Sequence, residues 1–294
     1  MGYLTGPVNT LTDYQVEFNG FLLGPGTAYD IPPVWNFLDL AAIKTMDQSR
    51  VWADGSWSGP DFADVFLPSM AVEVKGATAA LFASAVQALQ GAFAPNYVAV
   101  PLWVKLPGMP AMGIPAKTNK RTIPIDLTWN GNFSQAAVQW RCPDPSWQSV
   151  PRSIVLSASG SAVSGLVFPM FNVVAGVYVA PGVADFGSTV TSSASGLLTN
   201  SGNTGAWPVV VISGPTTVPA TVTIDGNTVT YSQPIPAGQA VTIDYKTGYA
   251  TLTGNVDRTY ALTSRLFSPV SSSSAVFFSA DGGYATVTVA DVSR

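Results

Sequence analysis

Trp207-Pro208-Val209-Val210-Val211-Ile212-Ser213-Gly214-Pro215, followed by Ala220-Thr221-Val222-Thr223-Ile224-Asp225-Gly226-Asn227-Thr228-Val229-Thr230-Tyr231 and by Ala240-Val241-Thr242-Ile243-Asp244-Tyr245-Lys246-Thr247-Gly248-Tyr249, decides the fold. Val222 and Ile224 alternate with threonines, and Val241, Ile243 and Tyr245 alternate with Ala240, Thr242 and Asp244. A period of two with one apolar side marks a half-buried antiparallel strand. Asp225-Gly226-Asn227 and Lys246-Thr247-Gly248 supply residues that tolerate positive φ, so each predicts a tight hairpin. Short strands repeated between Gly/Pro turns predict a β-sandwich. Further on, Ala275-Val276-Phe277-Phe278, the turn Asp281-Gly282-Gly283 and residues 284–289 continue the pattern.

Upstream, residues 153–184 carry no charge. Gly165, Pro169, Gly176 and Pro181 interrupt them, and Val173, Val174, Val177 and Val179 favour strand, so sandwich strands are expected there rather than a membrane span. Pro143-Asp144-Pro145 cannot continue a ladder, and a domain boundary is placed near residue 145, giving domains 1–145 and 146–294. The first half alternates at 14–18, turns at Asn19-Gly20, and alternates again at 70–75. Residues 41–45 and 49–52 read as strands with a turn at Asp54-Gly55. Residues 78–90 read as a helix: Leu81, Phe82, Ala85, Val86, Leu89 and Phe93 share a face, and Gly91 is placed as its stop. No charged residue lies on that helix, so it reads as core. Strands are expected at 98–106, 121–129 and 133–142. Between the first two lies an apolar, proline-rich loop at 107–115, which either folds onto its own domain or is covered by a neighbouring molecule.

The 294 residues are 47% hydrophobic and 11% aromatic, enough for a sizeable core. Charged residues make up only 10%, against roughly 25% in an average soluble chain, so the surface is dominated by Ser, Thr, Gly, Asn and Gln. A net charge of -4 and 13 scattered basic residues argue against a nucleic-acid groove. One cysteine, Cys142, leaves no disulfide framework, and the start of the chain lacks a secretory pattern. Histidine is absent, which removes the usual general base, the serine and cysteine triads and every histidine metal site. Asp54, Asp61 and Asp64 do not follow the alternate-position pattern of a calcium loop. Asp54, Asp61, Asp225 and Asp244 are the carboxylates a glycosidase would have to use, and each reads as a turn or strand-face residue. The expectation is therefore no enzyme, with no catalytic, cofactor or metal residues.

Three features together resemble the distal tail (Dit) proteins of siphoviruses, the long-tailed bacteriophages. They are Asn200-Ser201-Gly202-Asn203 ahead of Ala206-Trp207-Pro208; Ile212-Ser213-Gly214-Pro215 with Pro219; and Ala237-Gly238-Gln239 leading into Val241-Thr242-Ile243-Asp244, with Asn255-Val256-Asp257-Arg258 after it. Gly26-Thr27-Ala28-Tyr29 and the Asp144-Pro145 pair look like the family's N-terminal half. The resemblance implies a mainly β chain with an N-terminal β-sheet domain bearing one helix and a C-terminal galectin-like β-sandwich. It implies a minor tail protein of the virion, a homohexameric ring forming the baseplate hub at the distal end of the tail. The partners implied are the tail tube protein and the tail-tip and receptor-binding components. On that footing Trp52, Trp57, Met109, Met112 and Ile114 are the candidate assembly contacts, because aromatics and Met mark interface cores. The alternative is a host-glycan-binding module, for which Trp207 and Tyr249 are the available aromatics, although both read as core.

Overall fold

The computed structural model describes residues 3–32, 35–158, 172–174, 177–179, 195–217 and 219–294. The chain is mainly β, with one α-helix among the described residues. It divides into two compact units. One contains Tyr3–Pro151 with Ser201–Thr204 and Ala290–Arg294, and the other contains Arg152–Asn200 and Gly205–Val289.

In the N-terminal unit, β1 (Gln15–Phe18) turns through Asn19 and Gly20, both at positive φ, into β2 (Phe21–Leu23). After β3 (Tyr29–Asp30) come four short strands: β4 (Ile43–Thr45), β5 (Gln48–Ser49), β6 (Ser56–Trp57) and β7 (Asp61–Ala63). The sheet resumes with β8 (Ser69–Lys75), then α1 (Ala79–Ala92), β9 (Val100–Lys105), β10 (Met112–Thr122), β11 (Phe133–Arg141) and β12 (Trp147–Ser149). Its strand order is β2-β1-β9-β10-β11-β8-β3, with β12 paired to β10. The alternation in β8 and β11 is real burial: Met70, Val72, Val74, Ala136, Val138 and Trp140 face the core.

Helix α1 starts at Thr78, whose hydroxyl accepts a hydrogen bond from the Leu81 amide at 3.3 Å, a cap that satisfies one orphan donor. Phe82, Ala85, Val86 and Leu89 are buried, as is Phe93 just past the end. Two details differ from the sequence reading. Leu81 is 59% exposed, because it lies roughly 100° around the helix from the middle of the buried arc. Gly91 does not stop the helix, which runs to Ala92; the guanidinium of Arg121 donates to the carbonyls of Gln90 and Phe93 at its end. Phe93 stacks on Phe18 at 5.2 Å and meets Trp140 at 5.6 Å, tying helix to sheet.

The opposite face of this sheet is also covered. Glu17, Trp103 and Gly113 form one cross-strand row. The buried Glu17 carboxylate accepts from the amides of Val8 and Asn9, both at 2.8 Å, while the Trp103 indole donates to the Thr5 carbonyl at 3.1 Å. A side chain at Gly113 would meet the Trp103 ring at 2.7 Å, so the row needs glycine.

The loop expected at 107–115 is half strand, since β10 begins at Met112. The strand expected at 121–129 stops at Thr122, because Pro124 offers no ladder donor. Residues Leu127–Gly131 form a 3₁₀ turn instead, with the Asp126 carboxylate accepting from the Thr128 amide at 2.9 Å.

The C-terminal unit contains β13 (Arg152–Ser157), β14 (Asn172–Val174), β15 (Val177–Val179), β16 (Ser195–Thr199) and β17 (Val209–Ser213). Then follow β18 (Ala220–Ile224), β19 (Asn227–Tyr231), β20 (Ala240–Asp244), β21 (Tyr249–Leu252) and β22 (Val256–Asp257). It closes with β23 (Leu262–Arg265), β24 (Ser273–Ser279) and β25 (Tyr284–Val289). One sheet runs β13-β25-β17-β20-β21-β22 and the other β16-β24-β18-β19-β23, each with its alternate residues buried, as a β-sandwich requires. Asp225 and Gly226 both take positive φ at the β18–β19 turn, and Gly248 does so at the β20–β21 turn. In the uncharged stretch, 172–174 and 177–179 pair as antiparallel strands; most of the rest lies outside the described residues. The final strand, β26 (Val292–Ser293), returns to the first unit and pairs with β12. No helix among the described residues is long and apolar enough to cross a membrane.

Candidate functional site

Between β4 and β7 the chain leaves its sheet and forms a narrow two-stranded arm. Among the described residues β4 pairs only with β7, and β5 only with β6. Gly55, at a φ of +88°, closes the tip. Gly59 is required lower down, since a Cβ there would lie 2.2 Å from the Met46 carbonyl oxygen; the Gly59 amide donates to Asp47 at 2.9 Å. At the root Lys44 meets Asp64 at 2.7 Å. That hydrogen bond, then one from the Val65 amide, holds the Asp64 carboxyl below the usual carboxylate range.

The arm is apolar and uncovered. Trp52 is 96% exposed and Trp57 66% exposed, with Ile43, Met46, Val51 and Phe62 exposed beside them. The Arg50 guanidinium lies 4.6 Å over the Trp57 ring. Single exposed apolar residues need no explanation, but six on one thin ribbon do.

A second apolar feature lies on the same unit, where Phe37, Leu38, Phe66, Met109, Met112 and Trp147 line a groove. Met109, Met112 and Trp147 also wall an adjoining depression with Ser149 and Asp291. Phe37 and Leu38 are shared with a third, which Tyr14, Trp35 and Leu106 complete. Tyr14 takes a φ of +65°, unusual for a bulky side chain, and its ring meets Trp35 edge-on at 6.0 Å. The Lys105 ammonium donates to the carbonyls of Leu106 and Met109 and so holds the loop that carries Met109.

Of the sequence-derived contacts, Trp52 and Trp57 are on the arm and Met109 and Met112 line the groove. Ile114 offers no surface: it lies on the same face of β10 as Met112 but two residues further into the sheet, where it is fully buried opposite Leu102. Leu38, Leu40 and the Tyr14–Trp35 wall were missed. Their signal was the run Trp35-Asn36-Phe37-Leu38-Asp39-Leu40, too rich in large apolar residues for an ordinary connection.

The carboxylates do not converge. Asp54 and Asp61 are on the exposed arm. Asp225 accepts from the Ser274 hydroxyl, and Asp244 accepts from the Lys246 amide at 2.9 Å in its turn. No group of three metal-binding side chains is found among the described residues. Cys142 is buried, and desolvation pushes its thiol up to about 12. Tyr249 corrects the core reading: it is 61% exposed, since Ala250 takes the inward position of β21. Trp207 is half-buried.

No family model matches the chain, and no curated protein matches it by sequence. Solved structures do. The crystal structure of the SPP1 Dit protein (gp 19.1), described as a paradigm of the hub adsorption apparatus in phages infecting Gram-positive bacteria, matches with a TM-score of 0.63. The match has 10% identity and covers 96% of this chain and 99% of that one. A chain of the phage P2 baseplate in its activated conformation with Ca matches with a TM-score of 0.54 and 8% identity, over 95% of this chain and 97% of that one. The fold is that of the Dit hub proteins, in both units.

Proposed function

We propose that this chain is a structural subunit of a phage tail hub. Six copies close into a ring at the distal end of the virion tail, joining the tail tube to the host-adsorption tip. The N-terminal unit builds the ring and meets the tube; the C-terminal sandwich, galectin-like in this reading, carries the adsorption components. The observation that carries the proposal is a likeness to a hub protein that runs through 96% of the chain rather than through one common domain. The exposed arm and the apolar groove support it, because a ring subunit carries uncovered apolar surface for its neighbours to bury. Trp52, Trp57, Met109 and Met112 are the contacts assigned to those surfaces. Function in this reading is geometric and needs no reacting group.

Light scattering on the purified full-length protein after size exclusion tests the ring. A species of six chain masses is expected, and a monomer at every concentration would overturn it. The exposure of Tyr249 favours a second reading, in which the sandwich holds a host glycan. A glycan array probed with wild type and Tyr249→Ala decides it: retention that the substitution abolishes supports this reading, and no retention removes it.

A further inference from the structure

The outer face of β10 and β11 carries three cations, Lys117, Lys120 and Arg141, that make no ion pair among the described residues. Along β11, Ala136, Val138 and Trp140 are buried, while Gln139 and Arg141 turn outward. Lys117 stands directly opposite Arg141, and Lys120 directly opposite Gln139. Like charges facing each other across a ladder cost stability. Lys117 donates to the Tyr97 carbonyl. The ion pairs among the described residues of this unit are made by other cations: Lys44 with Asp64, Lys75 with Asp30 and Glu73, and Lys105 with Asp13. Arg141 is felt by Asp64, but that carboxylate is already engaged by Lys44. A shallow groove lined by Ser69, Lys120, Thr122, Ala137 and Gln139 runs beside the cations. Such a cluster, on a chain of net charge -4, has no ion-pair partner among the described residues.

The arm has the opposite character. It carries Asp47, Asp54, Asp61 and Asp64 against only Lys44 and Arg50. The Lys44–Asp64 pair neutralises the root, which leaves the three outer aspartates facing one arginine that is laid over Trp57. Val51 and Trp52 are exposed at the tip.

We propose that the cationic face around Lys117, Lys120 and Arg141 receives the acidic arm of a second copy of this chain. Complementary charge sets the register of the arm, and the apolar tip residues supply burial once it is seated. The contact is heterologous, one surface on a different surface of the next copy, and so propagates around a ring. This inference rests on the ring reading and adds the partner surface and its salt dependence.

Two full-length variants test it: Lys117→Glu with Lys120→Glu and Arg141→Glu on the face, and Asp47→Lys with Asp54→Lys and Asp61→Lys on the arm. Assembly is followed by light scattering from about 0.05 M to about 1 M salt, a range over which surface charges go from weakly to strongly screened. Wild type is expected to lose assembly as salt rises. Each triple variant is expected to raise the concentration for half-assembly by about tenfold or more, and all six changes in one chain restore assembly. Far-UV circular dichroism checks that the variants fold. A second readout needs no variant: carbodiimide coupling in a mixture of isotope-labelled and unlabelled wild type. It is expected to join Lys117 or Lys120 of one copy to Asp47, Asp54 or Asp61 of another. Assembly that is indifferent to the face variant and to salt overturns the proposal but leaves the ring reading standing. Coupling confined within single copies does the same, and a wild type that never assembles overturns both.

Discussion

The arm and the β18–β19 hairpin are built from the same vocabulary. Each has an Asp-Gly at its turn, Asp54-Gly55 in one and Asp225-Gly226 in the other, with both turn glycines at positive φ. Their surroundings differ. β18 and β19 are flanked by β24 and β23, so every ladder edge is paired and Val222, Ile224, Val229 and Tyr231 are buried. Among the described residues the arm has no flanking strand, and its apolar residues are exposed. Turn chemistry is local and decides that a hairpin forms. Whether the hairpin is a piece of core or a tool for reaching another molecule depends on what covers it.

Substitutions that treat the two hairpins alike should therefore have unlike effects. The largest is expected from Val222→Asp, which buries an unpaired carboxylate between two sheets. A loss of about 4 kcal/mol or more is expected, enough to unfold the sandwich in a thermal melt. Trp52→Asp on the arm should leave the melting temperature of the dissociated protein within the scatter of surface changes, about 0.5 kcal/mol, yet abolish assembly. A destabilisation by Trp52→Asp comparable to that of Val222→Asp would mean that the arm packs on its own chain. Next comes the glycine pair. Gly226→Ala should cost about 1 kcal/mol in denaturant unfolding, from the strain of positive φ. Gly55→Ala meets the same strain, but its cost should be missing from the global transition because the arm opens independently of the core.

The sandwich was legible in the sequence because burial and backbone period agree there: Val222, Ile224, Val241 and Ile243 alternate and are all inside. The N-terminal sheet was legible for the same reason at Met70, Val72 and Val74. The end of β10 was misread because the β-favouring run after Arg121 outweighed Pro124, which then broke the ladder. Ile114 was grouped with Met109 and Met112 by composition; Met112 and Ile114 share a face of β10, and they differ because Met112 opens the strand while Ile114 lies two residues further into the sheet. The groove was legible only in pieces, Met109 with Met112 and the apolar run 35–40, since Tyr14, Phe37, Met112 and Trp147 are distant in sequence and meet only after the sheet has formed. The cationic face could not be read, because the opposition of Lys117 and Arg141 exists only in the β10–β11 register.

The smallest effect should come from the root of the arm, where the Lys44 ammonium and the Val65 amide hold the Asp64 carboxyl below its ordinary value. A carboxyl that is more acidic in the folded chain than in the unfolded one stabilises the fold above the unfolded-state value, about pH 4. That contribution is lost as pH falls through the lower folded value. The group is exposed and salt-screened, so the loss should appear as a slight softening of the arm rather than as unfolding. Carbon-detected NMR titration of Asp64 should give a midpoint below that of the same residue in Lys44→Met, while amide exchange at Ile43–Thr45 quickens only on the acid side of it. The β18–β19 hairpin, whose rungs are held by burial, should show no change over the same range. Equal quickening in both hairpins would mean that the arm and the sandwich open together, and the contrast between a covered and an uncovered ribbon would fail.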